Sequence, residues 1–238
     1  MKKDLRTILR YAFTVIEGLV FISLLLDSII NYMDYMSRNV LCYVAVVFAA
    51  FISFFLTPLA VHRQKGYLLL AFIFILGADA LLIFTDGIAS TIGVFLFMPA
   101  QICIAYFIHG IKTLGLNIGI SLIVSGVVML IVKNTDLGDN LDFLQTFAAL
   151  LYYIILVTNI ITSLIVNKKK EDYQYRHIFI IGLFFLLLCD TSIGVYNLTG
   201  LPIFNSLIWL FYIPFLVLMT NYLTINAKKD TKSPTNAL

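Results

Sequence analysis

Eight apolar runs, most of about twenty residues, fill nearly the whole chain and leave only short polar stretches between them. A helix rises about 1.5 Å per residue, so roughly 20 apolar residues span a ~30 Å hydrocarbon layer. The runs fall at about 9–30, 40–61, 66–85, 89–109, 114–132, 142–166, 177–198 and 204–225. The separators are NYMDYMSR, HRQKG, TDGI, HGIK, KNTDLGDN, NKKKEDYQYR and NLTGLP, none long enough to hold a second domain. Soluble domains are roughly 45–50% apolar and about 25% charged. Here 61% of residues are hydrophobic and 12% charged, more apolar side chain than a water-soluble fold could cover. The expected fold class is all-α, a polytopic membrane protein with eight transmembrane helices. It forms one domain over residues 1–226, and the polar tail at 227–238 is expected to be disordered.

Lysine and arginine set the orientation, because they accumulate on the cytoplasmic side of a membrane. With the N-terminus inside, the outer side receives only Arg38 and Lys133 of the 16 basic residues. Both termini are then cytoplasmic, and the expected location is the plasma membrane of a bacterium. The net charge of +3 reads as membrane topology rather than nucleic-acid binding, so the expected partners are membrane lipids. The first run carries Glu17 and no small-x-small cleavage site, so it reads as a retained helix and not a signal peptide. Cys42, Cys103 and Cys189 all fall inside runs and suggest no disulfide framework.

Polar groups inside such runs are the informative ones. The stretch ILGADALLIF holds Asp79, and FFLLLCDTSIGVY holds Asp190. An ionised, unpaired carboxylate near mid-bilayer costs roughly 2.5–3.5 kcal/mol, so it persists where it faces a polar cavity or a partner. Counting from the inner ends of the third and seventh helices puts Asp79 about 20 Å up and Asp190 about 21 Å up. The two carboxylates are thus expected at one depth, in the outer half. Glu17, Gln101, Tyr152, Tyr153 and Tyr212 reach comparable levels on other helices, and Pro99 and Pro214 interrupt the fourth and eighth. Asp190, Gly194 and Asn197 recur at helical spacing as a polar stripe. Each aspartate could alternatively be a hydrogen-bonding strut between helices. Asp27, Asp34 and Asp86 lie near the outer interface, where solvation accounts for them. Gly115 and Gly119 form a GxxxG pair on the fifth helix, expected to allow close helix packing.

His62, His109 and His177 lie at cytoplasmic helix ends, and no HxxxH, HExxH or cysteine pair supplies a zinc set. No metal or cofactor is expected. There is no GxSxG elbow and no phosphate-cradling glycine loop. Acid–base work by carboxylates remains.

The segment GADALLIF with IGVFLFMPAQICIAYF, and LFFLLLCDTSIGVYNLTGLP with WLFYIPFLVLMTNYL, resemble the YhhN-like family of membrane lysoplasmalogenases. Eight spans with both termini inside are similar too. The chain departs from the family in three places. Its glycine–aspartate pair is Gly77-Ala78-Asp79, Gln101 stands where the family has a histidine, and the early lysine–proline motif has no clear counterpart. The resemblance implies hydrolysis of the vinyl ether bond of a lysoplasmalogen, with Asp79 and Asp190 catalytic. Gln101, Tyr152, Tyr212, Asn197 and Glu17 are the candidate substrate-binding residues. A transporter or lipid-binding protein of the same fold, and an inert relative, are the alternatives. The aspartates in the third helix of each four-helix half, and the prolines in the fourth, hint at parallel repeats.

Overall fold

A chain that leaves water must satisfy its own backbone hydrogen bonds, and only helices or closed barrels do so. The computed structural model describes residues 3–31, 33–57, 65–85, 87–134, 143–167 and 175–225, and among these all regular structure is helical. The helices are α1 (Lys3–Ile30), α2 (Tyr35–Leu56), α3 (Lys65–Phe84), α4 (Ile88–His109), α5 (Ile111–Lys133), α6 (Phe143–Asn167), α7 (Arg176–Thr199) and α8 (Pro202–Thr224). Seven are long and apolar enough to cross a membrane, whereas the apolar part of α5 is the shorter Asn117–Lys133. The Asp86 turn, the Lys168–Lys170 cluster, His62 and the 227–238 tail lie outside the described residues.

Local chemistry sets several helix ends. Asp34 N-caps α2, accepting from the Ser37 N–H at 2.7 Å and from its hydroxyl at 3.1 Å. Thus α2 begins within the stretch read as a linker. Gly200 closes α7 in the left-handed conformation, and Pro202 follows in the first turn of α8, where its missing N–H costs nothing. The buried Lys65 ammonium donates to the Tyr222, Leu223 and Ile225 carbonyls at 2.8, 2.8 and 2.9 Å. These belong to the C-terminal end of α8, where carbonyls lack intrahelical partners and the helix dipole favours a cation.

The most extensive packing is within two hairpins, α3 on α4 and α7 on α8. Gly93 permits the first: a Cβ there would meet the Ala78 carbonyl oxygen at 3.1 Å. Phe13, Phe72, Phe179, Phe215, Leu183 and Leu186 fill the core. The outer surface is apolar as well, with Phe55, Ile88 and Ile123 exposed. Such a surface would be unfavourable in water at about 25 cal/mol per Å² and is at rest in lipid. The helices α4 and α8 run through Pro99 and Pro214 without a break.

Two expectations are corrected. Asp27 is not solvated: it is fully buried, ion-paired to the Arg38 guanidinium and accepting from the Met33 N–H at 2.7 Å. The short connection folds back over the end of α1 and brings Arg38 onto it. Asp34, by contrast, is exposed. Gly115 and Gly119 do not meet a neighbouring helix, since nothing lies within 4 Å of a Cβ built at either.

Replacing Asp27 by Asn strands Arg38 and should destabilise by about 3 kcal/mol, the low end for a buried pair because Arg38 is partly solvated. Thermal unfolding in detergent measures it, and the same loss is expected of Arg38→Met. The Ser37 hydrogen bonds hold the Asp34 carboxyl below its ordinary range. The cap therefore stabilises α2 above the ordinary carboxyl range and fades as pH falls through the lowered value. Amide protection at Ser37 and Arg38 should follow that course in the native chain. It should be lost in Asp34→Ala and become independent of pH in Asp34→Asn.

Candidate functional site

Four helices bring the polar centre together. Asp79 projects from α3, one turn from its far end, and is 7% exposed. Tyr212 of α8 donates its hydroxyl to Asp79 Oδ2 at 2.5 Å. Asp190 projects from α7 and is partly buried. Tyr152 of α6 donates to Asp190 Oδ2 at 2.6 Å. Asp79, Tyr152 and Tyr212 lie on the buried faces of their helices, and the tyrosine hydroxyls reach the neighbouring helix.

Asp79 lies close enough to Asp190 to act on its charge, and both act on the Cys189 thiol. The Tyr212 and Tyr152 hydroxyls are likewise within electrostatic range of each other. Two carboxyls, two phenols and a thiol thus lie near one another among largely apolar helices, with Asp190 partly exposed. In so poor a dielectric, interactions between such groups are stronger than in water.

The cluster is extended on one side only. The Gln101 side chain lies beside the Tyr152 hydroxyl. Asn159 of α6 donates to Gln101 Oε1 at 3.0 Å and to the Gln101 carbonyl at 3.1 Å. The bonded amide pair Asn159–Gln101 thus stands behind the Tyr152–Asp190 pair, whereas Asp79 has Tyr212 alone among the bonds described. Tyr153 is turned away, sharing a hydrogen bond with Thr191 at 3.1 Å.

Of the residues singled out in the sequence, Asp79, Asp190, Gln101, Tyr152 and Tyr212 converge. Asn197 does not: it is exposed near the end of α7, beyond the cluster. Glu17 belongs to another seam. It is fully buried one turn above Phe13, which packs on Phe48 of α2, and neither of its carboxyl oxygens has a hydrogen-bond partner among the described residues. Asn159 is the residue that sequence reasoning missed. Its signal was present, since it lies seven positions after Tyr152 and so on the same helical face.

Other features lie apart from the acids. A groove of about 270 Å³, lined by Thr7, Arg10, Tyr11, Thr14 and Asn221, opens at the end of the bundle where α1 begins. Among the described residues no three His, Cys, Asp or Glu side chains group closely enough to hold a metal ion.

No family model, curated protein or solved structure matches the chain. What the cluster can do must therefore be argued from its own chemistry. A carboxyl hydrogen-bonded by a phenol, with a second carboxyl in charge range, can hold or release a proton where water is scarce.

Tyr212→Phe and Tyr152→Phe should each destabilise by roughly 1–3 kcal/mol, because a buried carboxyl loses a donor. The two should differ in their coupling. In a Gln101→Leu background the Tyr152→Phe loss should shrink and the Tyr212→Phe loss persist, as read from detergent melting curves.

Proposed function

We propose that the protein is a membrane hydrolase that cleaves the vinyl ether bond of a lysoplasmalogen to a fatty aldehyde and a glycerophospho-alcohol. The observation that carries this reading is the pair of tyrosine-bonded carboxyls, Asp79 and Asp190, within range of each other's charge. Vinyl ethers hydrolyse through slow protonation on carbon. The acid's proton goes to the alkene carbon β to the ether oxygen and leaves an oxocarbenium ion. Water adds to that cation, and the resulting hemiacetal breaks its C–O bond to release aldehyde and alcohol. The proton lost by water returns to the carboxylate. One carboxyl must be protonated to begin, and the other must be an anion to stabilise the cation, a division that two neighbouring acids in unequal surroundings can maintain. Glycosidases place paired carboxyls about a comparable cation, by analogy only.

Several features support the same reading. The acids lie inside a bundle whose outer surface is apolar, where a single-chain lipid is at home. Gln101 has no proton to give near neutral pH and would orient Tyr152, and through it Asp190. In this account α5 is an eighth crossing, both termini are cytoplasmic and the membrane is a bacterial plasma membrane. The substrate chain would lie among the helices with its headgroup toward the outer face.

A proton-coupled transporter is the second reading, favoured by the aspartates on the third helix of each half. Purified protein incubated with a panel of lysoplasmalogens should release aldehyde, and Asp79→Asn and Asp190→Asn should each reduce release at least 100-fold while keeping the folded elution profile. Turnover left intact by either change removes that residue from the mechanism. Absence of aldehyde together with pH-gradient-driven flux in proteoliposomes favours the transporter.

A further inference from the structure

The two hairpins share more than their aspartates. The buried positions of α3 are Lys65, Leu68, Leu69, Ala71, Phe72, Ile75, Ala78 and Asp79. Moving 111 positions along the chain from the first seven gives Arg176, Phe179, Ile180, Gly182, Leu183, Leu186 and Cys189, all buried in α7. The same step carries Asp79 to Asp190. The register is therefore fixed at both ends by chemistry, a buried cation at the start and a carboxyl fourteen residues on.

The other helices match at steps that change only between helices, as insertions in the loops would produce. At 110 positions, Cys42, Ala45, Val46, Ala49, Ala50 and Ser53 of α2 fall on Tyr152, Ile155, Leu156, Asn159, Ile160 and Ser163 of α6, all buried. At 115, Pro99 falls on Pro214, and Ala100, Gln101, Ile104, Ala105 and Ile108 fall on buried residues of α8. At 108, Phe13 and Glu17 of α1 fall on the buried Ser121 and Ser125 of α5.

Packing repeats as well. Exchanging α1–α4 for α5–α8 turns α2·α8 into α4·α6 and α1·α8 into α4·α5, and every substantial helix–helix contact has such a counterpart. Residues on a two-fold axis meet their own counterparts. Phe107 and Tyr222 are such a pair, with ring centroids 5.9 Å apart. Asp79 and Asp190 are counterparts nearer the opposite end, each bonded to a tyrosine of the second half, Tyr212 and Tyr152.

We infer that the chain is a two-fold internal repeat, α1–α4 and α5–α8 related by an axis running along the bundle, and that Asp79 and Asp190 form a single axial site shared by both halves. Four helices per half return each half to its starting side, so the halves run parallel and the axis lies along the helices. The inference does not depend on the reaction catalysed. Some departures from the repeat fall beside the acids. Tyr152 stands where the first half has Cys42, and Tyr212 where it has Phe97. The Gln101–Asn159 amide pair stands where the other interface has Leu216 and Ala49. These departures make two equivalent acids inequivalent, and they mark Gln101 and Asn159 as positioning residues.

The repeat also explains an otherwise unaccounted hydroxyl. Ser53 of α2 donates to Thr220 of α8 at 3.1 Å. Its counterpart Ser163 is buried with no hydrogen-bond partner among the described residues, since the counterpart of Thr220 is Ala105. Register then predicts that Ala105 faces Ser163 as Thr220 faces Ser53.

Paired cysteines in the full chain test this, with the three native cysteines replaced by alanine. Cysteine differs little in volume from Ala, Ser or Thr, and size-exclusion profiles report folding. Ser53→Cys/Thr220→Cys and Ala105→Cys/Ser163→Cys should both close to disulfides, and the out-of-register Ala105→Cys/Thr162→Cys should stay open. Closure of the first pair without the second, or equal closure of the control, overturns the repeat. Asp79→Cys/Asp190→Cys should be bridged by a short bifunctional thiol reagent. No bridging there, with the second pair closed, overturns the axial site while leaving the repeat. Neither readout involves turnover, so failure of the proposed hydrolysis is a separate result.

Discussion

Every polar group enclosed by these helices has to find its partner in the protein, because lipid offers none and an unpartnered group costs several kcal/mol. That constraint organises the described interior. Lys65 is spent on three carbonyls at the end of α8, Arg38 on Asp27, and Asn159 on Gln101. Each pairing joins two helices that apolar contact alone would let slide, since lipid tails are as apolar as leucine. Glu17 is the exception among the acids, enclosed without a hydrogen bond.

The same constraint makes the aspartate cluster chemically useful. Neighbouring carboxyls in a medium of low dielectric repel when both are ionised, and hydrogen-bond donors decide how that repulsion is relieved. Here the donors are unequal. Asp79 receives Tyr212, while Asp190 receives Tyr152, beside which stands the Gln101–Asn159 amide pair of α4 and α6. An arrangement that began as two equivalent positions has become an asymmetric pair, and asymmetry is what an acid–anion division of labour needs.

Much of this was legible from the residues alone. Apolar runs anticipate the eight helices and their rough extent, seven of them long and apolar enough to cross a membrane. Counting at 1.5 Å per residue put Asp79 and Asp190 at one level, and the third-helix coincidence pointed to the repeat. What could not be read was rotation. In water a polar face marks the outside of a helix, but in lipid both faces are apolar, so nothing says which neighbour Tyr152 or Tyr212 meets. Asn159 was passed over for that reason. Asp27 was misread because proximity to an interface does not reveal that a connection folds back and delivers Arg38. Gly115 and Gly119 carry a close-packing pattern, yet among the described residues nothing lies within 4 Å of a Cβ built at either.

The central claim is that Asp79 and Asp190 belong to one centre rather than to two independent contacts. A double-mutant cycle on detergent stability tests it most directly, using Asp79→Asn, Asp190→Asn and the double variant. The account predicts that the combined change departs from the sum of the single ones by more than about 0.5 kcal/mol, the scale that separates coupled residues from distant ones. Additivity within that margin would contradict it.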